Sequence, residues 1–207
     1  MNLRGGPAAR IAPKDSRATD GGRPHRGRGR WVALTGTPGT GKSTVARLLP
    51  RSFEPIEVAD LALELRAGRR TERGDTRVDL GLLRDRFVSP GVPIRVLVGH
   101  LAHLLPVRDT LILRCRPSEL DRRLTRSRRG TPRERLENVV SEAIDLILIE
   151  ARQHRRRIWE LDATDRSPGE VAREVTRIIR ERPPPRWGSF DWLSDPSTTE
   201  YLLRRRP

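Results

Sequence analysis

The stretch Trp31-Val32-Ala33-Leu34-Thr35, running on into Gly36-Thr37-Pro38-Gly39-Thr40-Gly41-Lys42-Ser43-Thr44, decides how the rest of the chain is read. Five uncharged residues predict a buried strand, and Thr44–Leu49 predicts a helix beyond a glycine-rich turn. The turn fits G-x-x-x-x-G-K-[ST] in the place that pattern requires, between strand and helix. Its glycines let successive backbone N–H groups face inward, an arrangement that grips phosphate oxygens. The helix start adds positive dipole to the same spot. Read this way, Lys42 brings a mobile ammonium to the outer phosphates of ATP and Ser43 offers its hydroxyl to Mg²⁺. Gly39, Gly41 and Thr44 complete the cradle.

Composition isolates Lys42 further. The chain has 207 residues and a net charge of +15, with 40 arginines and only two lysines, Lys14 and Lys42. A surface that meets phosphate and a GC-rich codon bias both produce such a ratio. Under either, a retained lysine points to a role arginine does not fill. One domain with tails fits the length. No apolar run approaches the roughly 18 residues of a membrane span, and the first residues lack an apolar leader. A cytoplasmic protein without membrane contact is the expectation. Cys115, the single cysteine, excludes an internal disulfide framework and a multi-cysteine metal cluster.

Residues 1–30 read as a disordered basic arm, with eight cations against Asp15 and Asp20. From Trp31 onward, strands are predicted at 31–35, 56–58, 94–98, 110–115 and 158–161, with helical segments between them. Asp79 is placed to cap a helix over Leu80–Phe87, and Pro117 to open one running to about Thr125. The stretch Arg66–Arg77 reads as a loop, and Pro90–Pro93 as a turn. Leu136, Val139, Val140, Ala143, Ile144, Ile147, Leu148 and Ala151 predict one long helix with a single apolar face. A last core helix carries Val171, Ala172, Val175, Ile178 and Ile179. Alternating strands and helices predict an α/β P-loop NTPase fold: a five-stranded parallel sheet with helices on both faces. The domain is set at 31–182, followed by a proline- and aromatic-containing tail over 183–207. Its aromatics, Trp187, Phe190, Trp192 and Tyr201, are expected to pack in cis.

The layout narrows the choice among phosphate-loop proteins. An arginine-rich break, Arg126–Arg135, separates the fourth strand from the long helix, and there is no guanine-reading N-K-x-D. This is the plan of a small nucleotide kinase, whose arginine lid closes over the transferring phosphoryl group. In order along the chain come Thr35–Thr44, Val58-Ala59-Asp60-Leu61-Ala62 and Val98-Gly99-His100-Leu101-Ala102-His103-Leu104-Leu105-Pro106. Arg129-Gly130 follows, ahead of Leu136-Glu137-Asn138-Val139-Val140-Ser141-Glu142-Ala143. Together these segments resemble the archaeal and eukaryotic adenylate-kinase-like family that acts in small-ribosomal-subunit maturation.

The resemblance implies a broad-specificity nucleoside monophosphate kinase, with AMP as the favoured acceptor, that also hydrolyses ATP and uses Mg²⁺. It implies a partner, the eleventh protein of the universal small-subunit series, on the ribosomal platform, and a place in late 16S-type rRNA maturation, with rRNA contact. By position, Gly39, Gly41, Lys42, Ser43 and Thr44 hold ATP. Residues 57–78 form the monophosphate-binding region, residues 128–138 the lid, and Arg129 is the lid arginine on ATP. His100 belongs to the hydrolysis site. On physical grounds Arg126, Arg128 and Arg133 qualify beside Arg129. Asp60 has two readings, a carboxylate reaching metal-bound water or the acceptor nucleotide, and a helix N-cap. His103 reads as packing.

One departure stands out. Where the family carries Asp or Glu at the end of the third strand, helping to hold Mg²⁺, this chain has Val98. Magnesium must then rely on Ser43, ATP oxygens and Asp60. Three activities remain open on the sequence: the kinase with ATPase activity, a P-loop kinase for another small acceptor, and an ATP switch that binds ribosomal protein or RNA without kinase turnover.

Overall fold

The computed structural model describes residues 30–72, 74–88, 94–128, 130–154 and 157–204. The basic arm up to residue 29 and the Pro90–Pro93 turn lie outside the described residues, as does Arg129.

Trp31–Thr35 forms β1, buried along its whole length, and its side chains alternate between two cores. Val32 and Leu34 face one side; Trp31 and Ala33 face the other. A strand dry on both faces must be covered twice, which explains the missing polar alternation. Its neighbours in the sheet are β5 (Ile94–Val98) and β6 (Asp109–Arg114); β2 (Phe53–Glu57) and β7 (Arg157–Asp162) form the edges. All pairings in the order β2-β5-β1-β6-β7 are parallel. Pro55 sits in edge strand β2, where a missing N–H costs little. The chain turns to opposite sides of β1 to reach its two neighbours. That reversal opens a crevice at the carboxyl ends of the strands, where the glycine-rich turn lies.

On one face, α1 (Lys42–Ala46) and α7 (Pro168–Glu181) cover the sheet through Val45, Val171, Val175, Ile178 and Ile179. On the other lie α2 (Val58–Glu64) and α3 (Leu80–Asp85), with Leu61, Ala62 and Leu83 in the core. Asp79 caps α3 as expected, its carboxylate accepting from Leu82 N at 2.9 Å. Further along, α4 (Pro117–Arg126), α5 (Pro132–Ala143) and α6 (Leu146–Arg152) complete the layer. Among the described residues no helix is long and apolar enough to cross a membrane.

Four local expectations change. The helix after the turn stops at Ala46, because Leu48 and Leu49 tighten into i→i−3 bonds ahead of Pro50. Val58 opens α2 rather than closing the second strand. The stretch read as a loop contains a hairpin, β3 (Gly68–Arg70) with β4 (Thr76–Val78), whose polar strands carry no apolar pattern to read. The long helix is two helices. Asp145 takes φ +57, a conformation aspartate tolerates better than most residues, and divides α5 from α6. The break ends the common apolar face, leaving Val140 and Ile144 40% and 43% exposed.

The stretch after Arg182 packs on the domain. Arg186 bonds to both sides of Trp159's neighbours, with Arg186 N to Ile158 O at 3.0 Å and Glu160 N to Arg186 O at 3.0 Å. This covers the free edge of β7. Trp192 is buried and stacks on Phe190 at 5.7 Å. Beyond it α8 (Pro196–Leu203) rests on α4, where the Tyr201 hydroxyl meets Asp121.

Candidate active site

The glycine-rich turn leaves β1 at Gly36 and enters α1 at Lys42. A side chain at Gly36 would sit 2.4 Å from Leu113 O, so the turn presses backbone to backbone on β6. At Gly41, by contrast, φ is +100 and nothing lies within 4 Å of where a Cβ would stand. The loop therefore packs at its base and opens at its lip, as a cradle for an anionic group requires.

Lys42 is buried, its Nζ donating to Gly36 O at 2.8 Å and Thr37 O at 2.9 Å. The ammonium thus rests on the loop's own carbonyls. Ser43 is half-buried beside it, and Thr44 is exposed on α1. Thr37 is held twice over: its carbonyl also accepts Thr40 Oγ1 at 2.9 Å, and its hydroxyl donates to Glu142 Oε2 at 2.5 Å.

His100 follows β5 at the same edge of the sheet. Desolvation by the surrounding protein lowers its pKa, with the Lys42 ammonium and His103 adding to the effect. The residue itself is exposed, and its carbonyl accepts the Thr35 hydroxyl at 3.3 Å, which ties it to the end of β1 where the cradle begins. His103 is packing of a polar sort. Buried under the loop, it pairs Nδ1 with Thr35 Oγ1 at 3.1 Å and Nε2 with Glu150 Oε2 at 2.8 Å.

Asp60 is exposed in the first turn of α2, and the N-cap position belongs to Glu57, so the capping reading of Asp60 falls away. Val98 is 1% exposed and packs in the core with Val45 and Ala46 of α1. No group of three His, Cys, Asp or Glu side chains among the described residues is placed to hold a metal ion. A hydroxyl such as that of Ser43 is an oxygen donor suited to Mg²⁺ only where phosphate oxygens complete its shell. The segment expected to form the lid begins just after α4 ends. Arg126 and Arg128 are exposed there, and Arg133 pairs with Glu137 at 3.0 Å. Residues 57–78 include the β3–β4 hairpin, which lines a cavity of about 530 Å³ with Arg66, Arg69, Arg77 and, just beyond, Asp79.

A sequence-family model described as an AAA domain matches residues 32–145, more than half of the chain. The "Putative adenylate kinase" of Pyrococcus abyssi is 38% identical over 166 residues, covering 78% of this chain and 90% of that protein. The protein of the same name from Archaeoglobus fulgidus is 38% identical over 169 residues, covering 79% and 92%. The chain belongs to this adenylate kinase family. A shikimate kinase from Bacteroides thetaiotaomicron is similar in structure at a TM-score of 0.45 and 18% identity, over 73% of this chain and 98% of that one.

Within the family's phosphate-loop frame, sequence reasoning did not single out the group beneath the cradle. Arg114, the last residue of β6, donates through Nε to Glu142 Oε1 at 2.8 Å, and through its Nη atoms to Glu160, Asp145 and Glu142 O. Every guanidinium nitrogen is engaged, so this arginine, though close to the loop, is not available to phosphate. The available signal was Glu142 itself, an acid set between Val139 and Ala143 on the apolar face of a helix.

Proposed function

We propose that the protein is a nucleoside monophosphate kinase, transferring the terminal phosphoryl group of ATP to AMP or a related monophosphate, with hydrolysis of ATP as a side activity. The observation that carries this is the cradle: a glycine-lipped loop whose buried ammonium rests on two carbonyls, ready to exchange them for phosphate oxygens. Gly39, Gly41, Lys42, Ser43 and Thr44 hold ATP, and Mg²⁺, arriving with the nucleotide, neutralises the charge that builds on the transferring group. An oxygen of the acceptor phosphate attacks the γ-phosphorus as its bond to the β-phosphate oxygen breaks. Lys42 follows the migrating charge. Arg129 of the lid screens the same oxygens, and neutral His100 accepts a hydrogen bond from the attacking water in the hydrolytic branch. The arginine-lined cavity of the hairpin receives the acceptor monophosphate, and Asp60, exposed in the first turn of α2, is proposed to reach the acceptor nucleotide or its metal-bound water.

A second reading is an ATP-driven binding switch whose partners are the platform ribosomal protein and rRNA. The buried Val98 in place of a carboxylate and the charge of +15 favour it. One assay separates the two. Purified protein with Mg²⁺-ATP is followed for ADP and inorganic phosphate, with and without AMP. The kinase gives two ADP for each ATP consumed with AMP present and little phosphate. Phosphate release indifferent to AMP selects the switch. Lys42→Ala lowers either turnover by about 10²-fold or more.

A further inference from the structure

We infer that Glu142 is a positioning residue: from the end of the lid helix, its buried carboxylate fixes the phosphate loop through Thr37 and makes that helix sense whether the loop is loaded. The inference rests on the nucleotide-binding reading of the loop.

Glu142 is 3% exposed and accepts three hydrogen bonds. Oε2 takes the Thr37 hydroxyl at 2.5 Å; Oε1 takes Arg114 Nε at 2.8 Å and the Cys115 N–H at 3.1 Å. A carboxylate this deep is tolerated only because its lone pairs and its charge are answered. The three donors come from the phosphate loop, the end of β6 and the start of the following segment. Glu142 thereby ties α5 to the two strands that flank the cradle.

Thr37 is the hinge of the arrangement. Its carbonyl accepts the Lys42 ammonium at 2.9 Å while its hydroxyl is held by Glu142. When phosphate arrives, the ammonium leaves Gly36 O and Thr37 O for phosphate oxygens, and the Thr37 peptide loses a charge-assisted bond. The hydroxyl bond then keeps that peptide from following the lysine. Its load passes to Glu142, at the far end of α5 from Thr131, whose capping box with Glu134 starts the helix inside the lid segment, residues 128–138. Its twelve residues make a lever of about 18 Å whose first half belongs to the lid segment and whose last turn meets the loop. By linkage, tighter α5 packing on a loaded loop means tighter binding on an ordered lid.

The test follows amide hydrogen exchange across α5 with and without Mg²⁺-ADP, together with the ADP dissociation constant. Wild type slows its α5 exchange when ADP binds. Thr37→Val deletes the hydroxyl and leaves the Glu142–Arg114 pair in place; it loses the ADP-dependent slowing and binds ADP about tenfold more weakly. Thr37→Ser restores both. Should Thr37→Val prove too unstable to purify, Thr37→Ala removes the same hydroxyl and answers to the same outcomes. A Glu142 that merely holds the fold together would leave the ADP-dependent difference intact in these variants, and that result overturns the inference. A wild-type protein that binds no ADP overturns the phosphate-loop reading and this inference with it; binding without loss of coupling overturns this inference alone.

Discussion

The two ends of β6 are mirror images in charge. At its last residue, Arg114 is one cation among three acids, Glu142, Asp145 and Glu160. At its first, Asp109 is one acid among three cations, with Arg30 at 3.3 Å, Arg157 at 2.9 Å and Arg182 at 3.6 Å. The environments push guanidinium groups in opposite directions. Burial alone would lower the Arg114 pKa, yet Glu142 and then Glu160 and Asp145 raise it above the ordinary arginine value. Arg30 moves down, chiefly through desolvation, with Arg182 and Arg157 adding to it against the pull of Asp109. What differs most is water. Arg114 is 2% exposed, whereas the arginines around Asp109 keep substantial contact with solvent. Equal counts of ion pairs therefore do not mean equal energies.

Removing the central group at each end gives the largest effect. Arg114→Met strands two buried glutamates beneath the phosphate loop and is expected to cost about 3–5 kcal/mol. For a chain of this size the unfolding midpoint falls on the order of 10 °C. Asp109→Asn leaves three partly exposed arginines, one of which, Arg157, has a buried Nη2, and its cost is about 1–2 kcal/mol. Thermal unfolding of both variants decides the matter. Equal losses, or a larger loss for Asp109→Asn, would mean that burial does not set the difference.

The same contrast marks what the amino-acid sequence reveals. The phosphate loop was legible because its residues are contiguous and their spacing is dictated by one ligand. So was the α/β alternation, since the three central strands carry three or four apolar residues each. The cage around Arg114 was not, because its acids lie 28, 31 and 46 residues away and only folding brings them together. The break at Asp145 was hidden for the same reason: the residue leaves helical geometry as its carboxylate meets Arg114, a partner that local periodicity cannot report. The β3–β4 hairpin escaped because its two three-residue strands hold a single apolar residue, Val78, too little for a pattern of burial.

A carboxylate added at the Arg114 end tests how the cradle handles metal. Val98→Glu places an acid at the carboxyl end of β5, against Val45 and Ala46 of the helix that carries Ser43. The Mg²⁺ concentration needed for half-maximal nucleotide binding is expected to fall about tenfold. Titration of ADP binding with Mg²⁺ or Mn²⁺ measures it; an unchanged metal requirement would show that phosphate oxygens and Ser43 already suffice. The pair of mutations at β6 supplies the control for lost stability.

His100 provides a smaller effect, visible in pH. Its pKa in the folded protein is lowered, so the unfolded chain takes up a proton first as pH falls. The histidine's share of stability is present above the ordinary histidine pKa, near 6.5, and is lost as pH drops through the folded value. Between pH 7 and 5 the wild-type unfolding midpoint should therefore fall more steeply than that of His100→Asn. Parallel profiles would mean that desolvation of the ring, with Lys42 and His103 beside it, does not lower its pKa in the folded protein.

The smallest effect comes from the Asp109 end, where cations are redundant. Arg182 lies 3.6 Å from Asp109, is about half exposed, and ends α7 with φ +51. Two quantities meet in that residue, a screened ion pair worth about 0–1 kcal/mol and a left-handed backbone that favours glycine by about 1 kcal/mol. Arg182→Ala surrenders the pair and keeps the backbone strain, and should cost less than about 1 kcal/mol because Arg30 and Arg157 still answer Asp109. Arg182→Gly surrenders the same pair but relieves the backbone, so it should match or slightly exceed wild type. Denaturant unfolding of the two variants separates charge from conformation without touching any other residue. If glycine proves no better than alanine, the left-handed turn is not what Arg182 strains against. The third arginine would then matter to Asp109 as much as the first.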